Sequence, residues 1–363
     1  MRFSIYSEMQ YWGGKPREQL YEEVLEQIVN ADRLGFDAYA LIEHFFFDRF
    51  SISADPLQVF AAAAQRTRQI KFRTLLHVLP YHNPTVLASR IGVADVMLNG
   101  RYEFGFGRGH AWVAEKAGLP IEETRGRYDE ALEVLLAALG DERFSHDGKA
   151  FKVVDSHITP RPTRRMRIFA GGTSDSTYER AGELGWSVVV PPLLPYVALA
   201  KQLDLYRSSC ARNGNEPDIV WIHACYLDPD RDTALREAEL GMRRFLEGNA
   251  SVLLTGELPG ADKLNAAGYG FYASGIMEEL ARAPYEKMIS DDVVWVGTPQ
   301  DVIERIEAVR EVCEGLTEIS ITCNCGGFAH WQAIKAQELF AAEVMPAFRE
   351  RRAREHPVAG AFD

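Results

Sequence analysis

Cysteine is scarce in this chain. The five present, Cys210, Cys225, Cys313, Cys323 and Cys325, are odd in number and scattered. They form neither a C-x-x-C redox pair nor a zinc pattern, and a reducing, cytoplasmic compartment is the expectation. No apolar run approaches the length of a membrane span. The opening Met1-Arg2-Phe3-Ser4-Ile5-Tyr6 reads as a strand, not as the apolar core of a secretory signal. Positive charge is short as well. Lys and Arg number 40 against 52 Asp and Glu, a net −12, which disfavours nucleic acid and anionic membrane as partners. The dinucleotide fingerprint G-x-G-x-x-G, a Ser-His-Asp order and the H-E-x-x-H metal spacing are all missing. An NAD-linked, doubly wound dehydrogenase is therefore disfavoured, and no metal site is assigned.

What is present is an alternation of strand-like and helix-like segments, the pattern of a parallel sheet. Strands are expected over about 2–7, 37–43, 70–78, 101–109, 166–170, 186–190, 218–226 and 316–323. Each is followed by a helical pattern. In the first, Leu20, Val24, Ile28, Ala31 and Leu34 fall on one face. Eight such units without a break into halves predict a TIM (β/α)₈ barrel spanning 1–353. Residues 141–165 read as irregular or hairpin-like, and 354–363 as a disordered tail. The least periodic stretch, 248–295, reads as an insertion that forms a lid or a pocket wall.

In such a barrel, chemistry gathers at the C-terminal ends of the strands. The segment Arg101 to Gly109 reads Arg-Tyr-Glu-Phe-Gly-Phe-Gly-Arg-Gly, an aromatic strand entering a glycine-rich turn. Arg108 adds a permanent charge with a fork of donors that suits phosphate. Gly171-Gly172-Thr173-Ser174-Asp175-Ser176-Thr177 follows the fifth strand and opens a helix, where free N–H groups and the dipole favour an anion. Glu43-His44-Phe45-Phe46-Phe47 ends the second strand. His44 is the side chain suited to proton transfer near neutral pH, and the three phenylalanines are expected to line a pocket. His77, His110 and Trp112 are further pocket candidates; His82 reads more simply as a turn or capping residue.

These segments together resemble the bacterial luciferase-like family of flavin-dependent monooxygenases. The likeness is carried by Leu34-Gly35-Phe36-Asp37 leading to Glu43-His44-Phe45, by Leu79-Pro80-Tyr81-His82-Asn83-Pro84, and by Gly100 to Gly109. Gln202 to Tyr206, Val296-Gly297-Thr298-Pro299 and Val344-Met345-Pro346 extend it along the chain.

The resemblance implies FMN bound at the barrel mouth. Arg108, Ser174 and Thr177, with Gly171 and Gly172, would hold its phosphate. Leu75 and Leu76 would supply a non-prolyl cis peptide under the ring system, and His44 would act as acid/base. It implies a two-component monooxygenase that receives reduced FMN from an NAD(P)H:flavin reductase, forms a C4a-peroxyflavin with O₂, and oxygenates a small, largely apolar substrate such as a carbonyl compound. A homodimer is expected. An F420-dependent hydride-transfer enzyme and a non-catalytic flavin-binding subunit are the alternatives. The chain departs from the luciferase pattern at Phe45, where a second histidine is usual, at Gly107 in place of a reactive cysteine, and at Thr173 in place of a glutamate. Light emission from a long-chain aldehyde is therefore not expected.

Overall fold

Short apolar runs, set off by glycine, proline and polar turns, become the strands of this computed structural model, which describes residues 1–194, 196–254 and 258–349. They are β1 (Arg2–Ser7), β2 (Ala38–Leu41), β3 (Lys71–Val78), β4 (Tyr102–Gly107), β5 (Phe144–Asp147), β6 (Lys152–Ser156), β7 (Ile168–Gly171), β8 (Ser187–Val190), β9 (Ile219–Leu227), β10 (Trp295–Gly297) and β11 (Leu316–Thr322). The order β9-β11-β1-β2-β3-β4-β7-β8, closed by β8 on β9, is an eight-stranded parallel barrel. The TIM barrel expected from the alternation is borne out. The strands are covered on both faces, so β8 (Ser-Val-Val-Val) is buried at every position. β5 and β6 pair antiparallel as the hairpin within 141–165.

The surrounding helices are α1 (Arg17–Leu34), α2 (Pro56–Ala64), α3 (Pro84–Met97), α4 (Ala111–Lys116), α5 (Thr124–Gly140), α6 (Asp175–Leu184), α7 (Tyr196–Arg212), α8 (Arg231–Leu254), α9 (Ala261–Ala266), α10 (Ile276–Arg282), α11 (Tyr285–Ser290), α12 (Pro299–Val312) and α13 (His330–Leu339). Local chemistry sets their ends. Proline opens α2, α3 and α12, where its missing N–H costs nothing. Asn83 caps α3 by accepting from the N–H groups of Thr85 and Val86. Thr298 and Asp301 cap α12 reciprocally. α1 stops at Gly35, whose φ of 80° needs no Cβ penalty to be overcome.

Three boundaries differ from the sequence reading. α8 runs through Leu254, so the first residues of the expected 248–295 insertion belong to a barrel helix; the described remainder is built from α9, α10 and α11. β10 is an extra strand. β9 pairs with β8 only through Trp221 and with β11 through Ala224, and its last residues, Cys225 to Leu227, take β10 as a partner of their own. β11 ends at Thr322, one residue before the expected 323, and Cys325 lies in the turn that follows. The expected tail at 354–363 lies outside the described residues.

The N-terminal floor of the barrel is closed by charge. Arg73, 1% exposed, donates to Glu103 at 2.6 Å and is also hydrogen-bonded to Glu318. Lys71 reaches Glu103 at 2.6 Å. Arg167 joins Glu318 and Asp218, each at 2.8 Å, and Arg2 reaches the same two carboxylates at 3.1 and 2.6 Å. Burial alone would raise the Glu318 pKa, but Arg73 and Arg167 outweigh it and hold the carboxylate well below its usual range. The Phe169 ring faces both guanidiniums, at 4.9 and 4.5 Å.

Candidate active site

The opposite, C-terminal end of the barrel opens into a cavity of about 250 Å³, with a smaller one of about 130 Å³ adjoining it. Both are lined by Tyr6, Ile42, Leu76, Gly107, Gly109, His110 and Gly171. The Leu75–Leu76 peptide is cis, and both residues line the smaller chamber. The glycines of β4 prove to serve Leu76. A Cβ on Gly105 would stand 2.2 Å from Leu76 Cδ2, and one on Gly107 2.9 Å from Cδ1. Gly109 has a different reason, a φ of +80°.

One side of the cavity collects anion-binding groups. Ser174 is the N-cap of α6, yet its hydroxyl bonds no helix N–H; it pairs with the Thr177 hydroxyl at 2.7 Å. Plain capping therefore does not account for Ser174, and the first N–H groups of α6 keep no side-chain cap. Gly172, at φ +139° with open space around its Cα, borders the same corner. Arg108 and Arg125 line it too. Arg108 donates to the carbonyls of Ala267 and Gly268 and lies 3.7 Å above the Tyr269 ring. The segment around α9 thus covers this corner, and Tyr269, Phe271, Tyr272 and Met277 add to the cavity wall.

The histidines sort differently from the sequence reading. His110 lines both chambers; its Nδ1 lies 2.7 Å from the Tyr272 hydroxyl and its ring stacks on Trp112 at 4.3 Å. Burial pushes its pKa down to about 4, so it is neutral at physiological pH. His44 does not line the cavity. It sits behind Phe50, His110 and Trp112, and its Nε2 accepts the Trp112 indole N–H at 3.3 Å. Burial, then His110, holds its pKa well below the usual value.

His77 is withdrawn as well. Its Nε2 meets the Tyr102 hydroxyl at 2.7 Å and its Nδ1 the Glu43 carboxylate at 3.4 Å. Glu43 also takes His82 Nε2 and the Val78 N–H, both at 2.8 Å. Burial would raise Glu43, but His77 and His82 overcome it and hold the carboxylate low. Ligand-type atoms of Glu43, His77 and His82 lie within 4.8 Å of one another, and those hydrogen bonds already occupy them.

The three phenylalanines are not the cavity wall. Phe45 and Phe46 border a separate surface groove with Pro80 and Tyr81, and Phe46 is 56% exposed at φ 76°. Phe47 packs edge-on to Trp112, with Lys116 over its ring. The chain turns sharply at Phe46, so neighbours in sequence face different ways. Trp112, on α4, does line the cavity as expected of a pocket candidate. Phe50, Glu8 and Asn249 line it without having been expected there. The signal for Glu8 was its place, one residue beyond β1 at the C-terminal end of a strand.

Comparison with known proteins gives a coherent picture. The family model for luciferase-like monooxygenases matches residues 1–313. The oxygenase component of the flavin-dependent trigonelline monooxygenase of Acinetobacter baylyi is 26% identical over 365 residues, covering 97% of this chain and 97% of its own. Among solved structures, the oxygenating constituent of 3,6-diketocamphane monooxygenase from Pseudomonas putida, in complex with FMN, superposes with a TM-score of 0.74 at 22% identity, over 95% of this chain and 98% of its own. The coenzyme F420-dependent tetrahydromethanopterin reductase of Methanopyrus kandleri does so at 0.69 and 20%, over 96% and 99%. The last two share the fold.

Proposed function

The chain belongs to the luciferase-like monooxygenase family, and on that footing we propose that it is the oxygenase of a two-component system that uses reduced FMN and O₂ on a small organic substrate. The observation that carries this reading is the anion corner. Arg108, Arg125 and the paired hydroxyls of Ser174 and Thr177 converge on the cavity where α6 leaves its first N–H groups uncapped. These residues fit a phosphate ester. The open space at Gly172 leaves room for it, and the wall at Leu75 and Leu76 faces the chamber where a flat ring system would lie. The FMN-bound relative and the flavin-dependent one from Acinetobacter support the same choice. A separate NAD(P)H:flavin reductase and a homodimer complete the proposal.

Reduced FMN, when bound, supplies the electrons that activate O₂. The chain's own residues do the rest. Arg108 and Arg125 hold the phosphate end. Trp112, Phe50 and Tyr272 keep water from the reacting face. His110 is the cavity's proton-handling group, since it meets the chamber and reaches the Tyr272 hydroxyl. His44, which touches Trp112 from behind, acts as a positioning residue in place of the direct acid/base role expected from the sequence.

Oxygen uptake driven by FMNH₂ over a panel of ketones, aldehydes and aromatics tests the proposal, scored as product formed per O₂ against free peroxide. His110→Ala is expected to lower that ratio at least about tenfold, and His44→Ala to lower it less. The reverse order would return the acid/base role to His44. Anaerobic titration with FMNH₂ and with F420H₂ decides the cofactor; tight binding of F420H₂ alone would establish the hydride-transfer reading.

A further inference from the structure

We propose that Glu8 is the recognition point for a positively charged nitrogen on the substrate, an inference that rests on the reading of this cavity as a flavin-and-substrate chamber. Glu8 lines the cavity one residue beyond β1. In the closed strand order β1 lies across the barrel from β7 and the anion corner. Glu8 is the one carboxyl group on the wall of the larger chamber among the described residues.

The side chain is held as a carboxylate would be. Oε2 accepts from Gln10 Nε2 at 3.1 Å and from Asn249 Nδ2 at 3.0 Å. Both amide orientations are fixed by second partners. Gln10 Oε1 takes the Gly326 N–H at 3.0 Å, and Asn249 Nδ2 also donates to the Phe245 carbonyl at 2.9 Å. Each amide therefore turns its N–H toward Glu8, and two converging donors favour the charged form. The counter-charge is what is missing, since no ion pair reaches Glu8 among the described residues. Burial accordingly raises its pKa to about 8 against those hydrogen bonds.

A ligand cation would complete the arrangement. The aromatic side chains of Tyr6, Phe50, Trp112 and Tyr272 line the same cavity, and aromatic rings suit a cationic nitrogen. Arg108 and Arg125 stand on the far side, where they would repel it from the phosphate corner. The other titratable groups packed around Glu8 are Tyr6 on β1 and Cys325 beyond β11. Burial raises both; Glu8 adds to it for Tyr6, and Cys323, then Glu8, for Cys325, so both are neutral at pH 7. A proton lost on cation binding therefore comes from Glu8.

Calorimetric titration of the full-length protein with matched cationic and neutral probes tests this. Suitable pairs are choline with 3,3-dimethylbutan-1-ol, N-methylpyridinium with toluene, and benzylammonium with benzyl alcohol. At least one cation should bind about tenfold or more tightly than its neutral partner, with close to one proton released per ligand at pH 7. Glu8→Gln should abolish both the preference and the proton release, and Glu8→Asp should keep part of each. The absence of a cation preference in every pair, or its survival in Glu8→Gln, overturns the proposal. FMN titrated separately keeps the two readings apart. FMN binding without cation preference sinks this inference alone, whereas cation preference without FMN binding sinks the cofactor reading alone.

Discussion

The two ends of the barrel treat charge in opposite ways. At the floor, Arg2, Lys71, Arg73 and Arg167 face Glu103, Asp218 and Glu318, and every one of them has an opposite charge within ion-pair distance. At the mouth, His44 and His110 are buried neutral, Glu8 has no cationic partner among the described residues, and Arg108 rests on two carbonyls. Charges at the floor satisfy one another and leave nothing for a ligand. Apart from Glu43, which His77 and His82 hold, these groups at the mouth keep unmet valence, which is what a binding site requires. The difference separates residues that hold the barrel from residues that use it.

The sharpest way to break the comparison is at the floor. Arg73→Ala leaves Glu103 and Glu318 buried beside a cavity, and is expected to cost about 3–5 kcal/mol of stability in urea denaturation. A loss below about 1 kcal/mol would show that the floor carboxylates find other partners.

Acid titration separates the two ends without mutation. Histidines at the mouth have folded pKa values below the unfolded value near 6.5. Their stability contribution is complete above that value and is lost as pH falls toward about 4 for His110, since the unfolded chain takes up protons that the folded one refuses. For His110 alone the shift amounts to about 3 kcal/mol. Glu318, held low, contributes fully above the unfolded carboxylate value near 4.5 and is lost only below it. His110→Asn should therefore flatten the stability profile between about pH 6.5 and 4 and leave the steeper fall below it. An unchanged slope would place the acid lability elsewhere.

Arg108→Ala should weaken FMN binding about 10–100-fold in a fluorescence titration, the scale of one charge-assisted contact. Unchanged affinity would count against the anion corner. Phe46→Asn lies at the small end. The residue is largely exposed, has positive φ and borders a different groove. Stability should move by less than about 0.5 kcal/mol, with coupling unchanged; a clear loss of coupling would bring the aromatic run back to the mouth.

Much of this was legible in the chain. The alternation of βα units predicted the barrel, and the residues after each strand predicted where the site gathers. Arg108, Gly171, Gly172, Ser174, Thr177, His110 and Trp112 line the cavity as the strand-end rule implies, and Leu76 lines it as the family resemblance implies. The direction of a side chain within a loop was not legible. Phe45, Phe46 and Phe47 are adjacent in sequence, yet a positive φ at Phe46 sends them apart. His44 and His77 sit at strand ends as expected, but one faces the back of Trp112 and the other a network with Tyr102 and Glu43.

The sequence by itself determined the repeating unit, the helix ends and the end of the barrel where the cavity opens. Each depends on signals a few residues long: a short apolar run, a proline at a first turn, a glycine after a last one. Only the tertiary structure decided which charges cancel. Arg73 meets Glu318 across 245 positions of chain, and Glu8 meets Asn249 across 241. Such pairings exist only once the barrel closes. Burial then turns an unpaired group from a solvated charge into one that a ligand must complete.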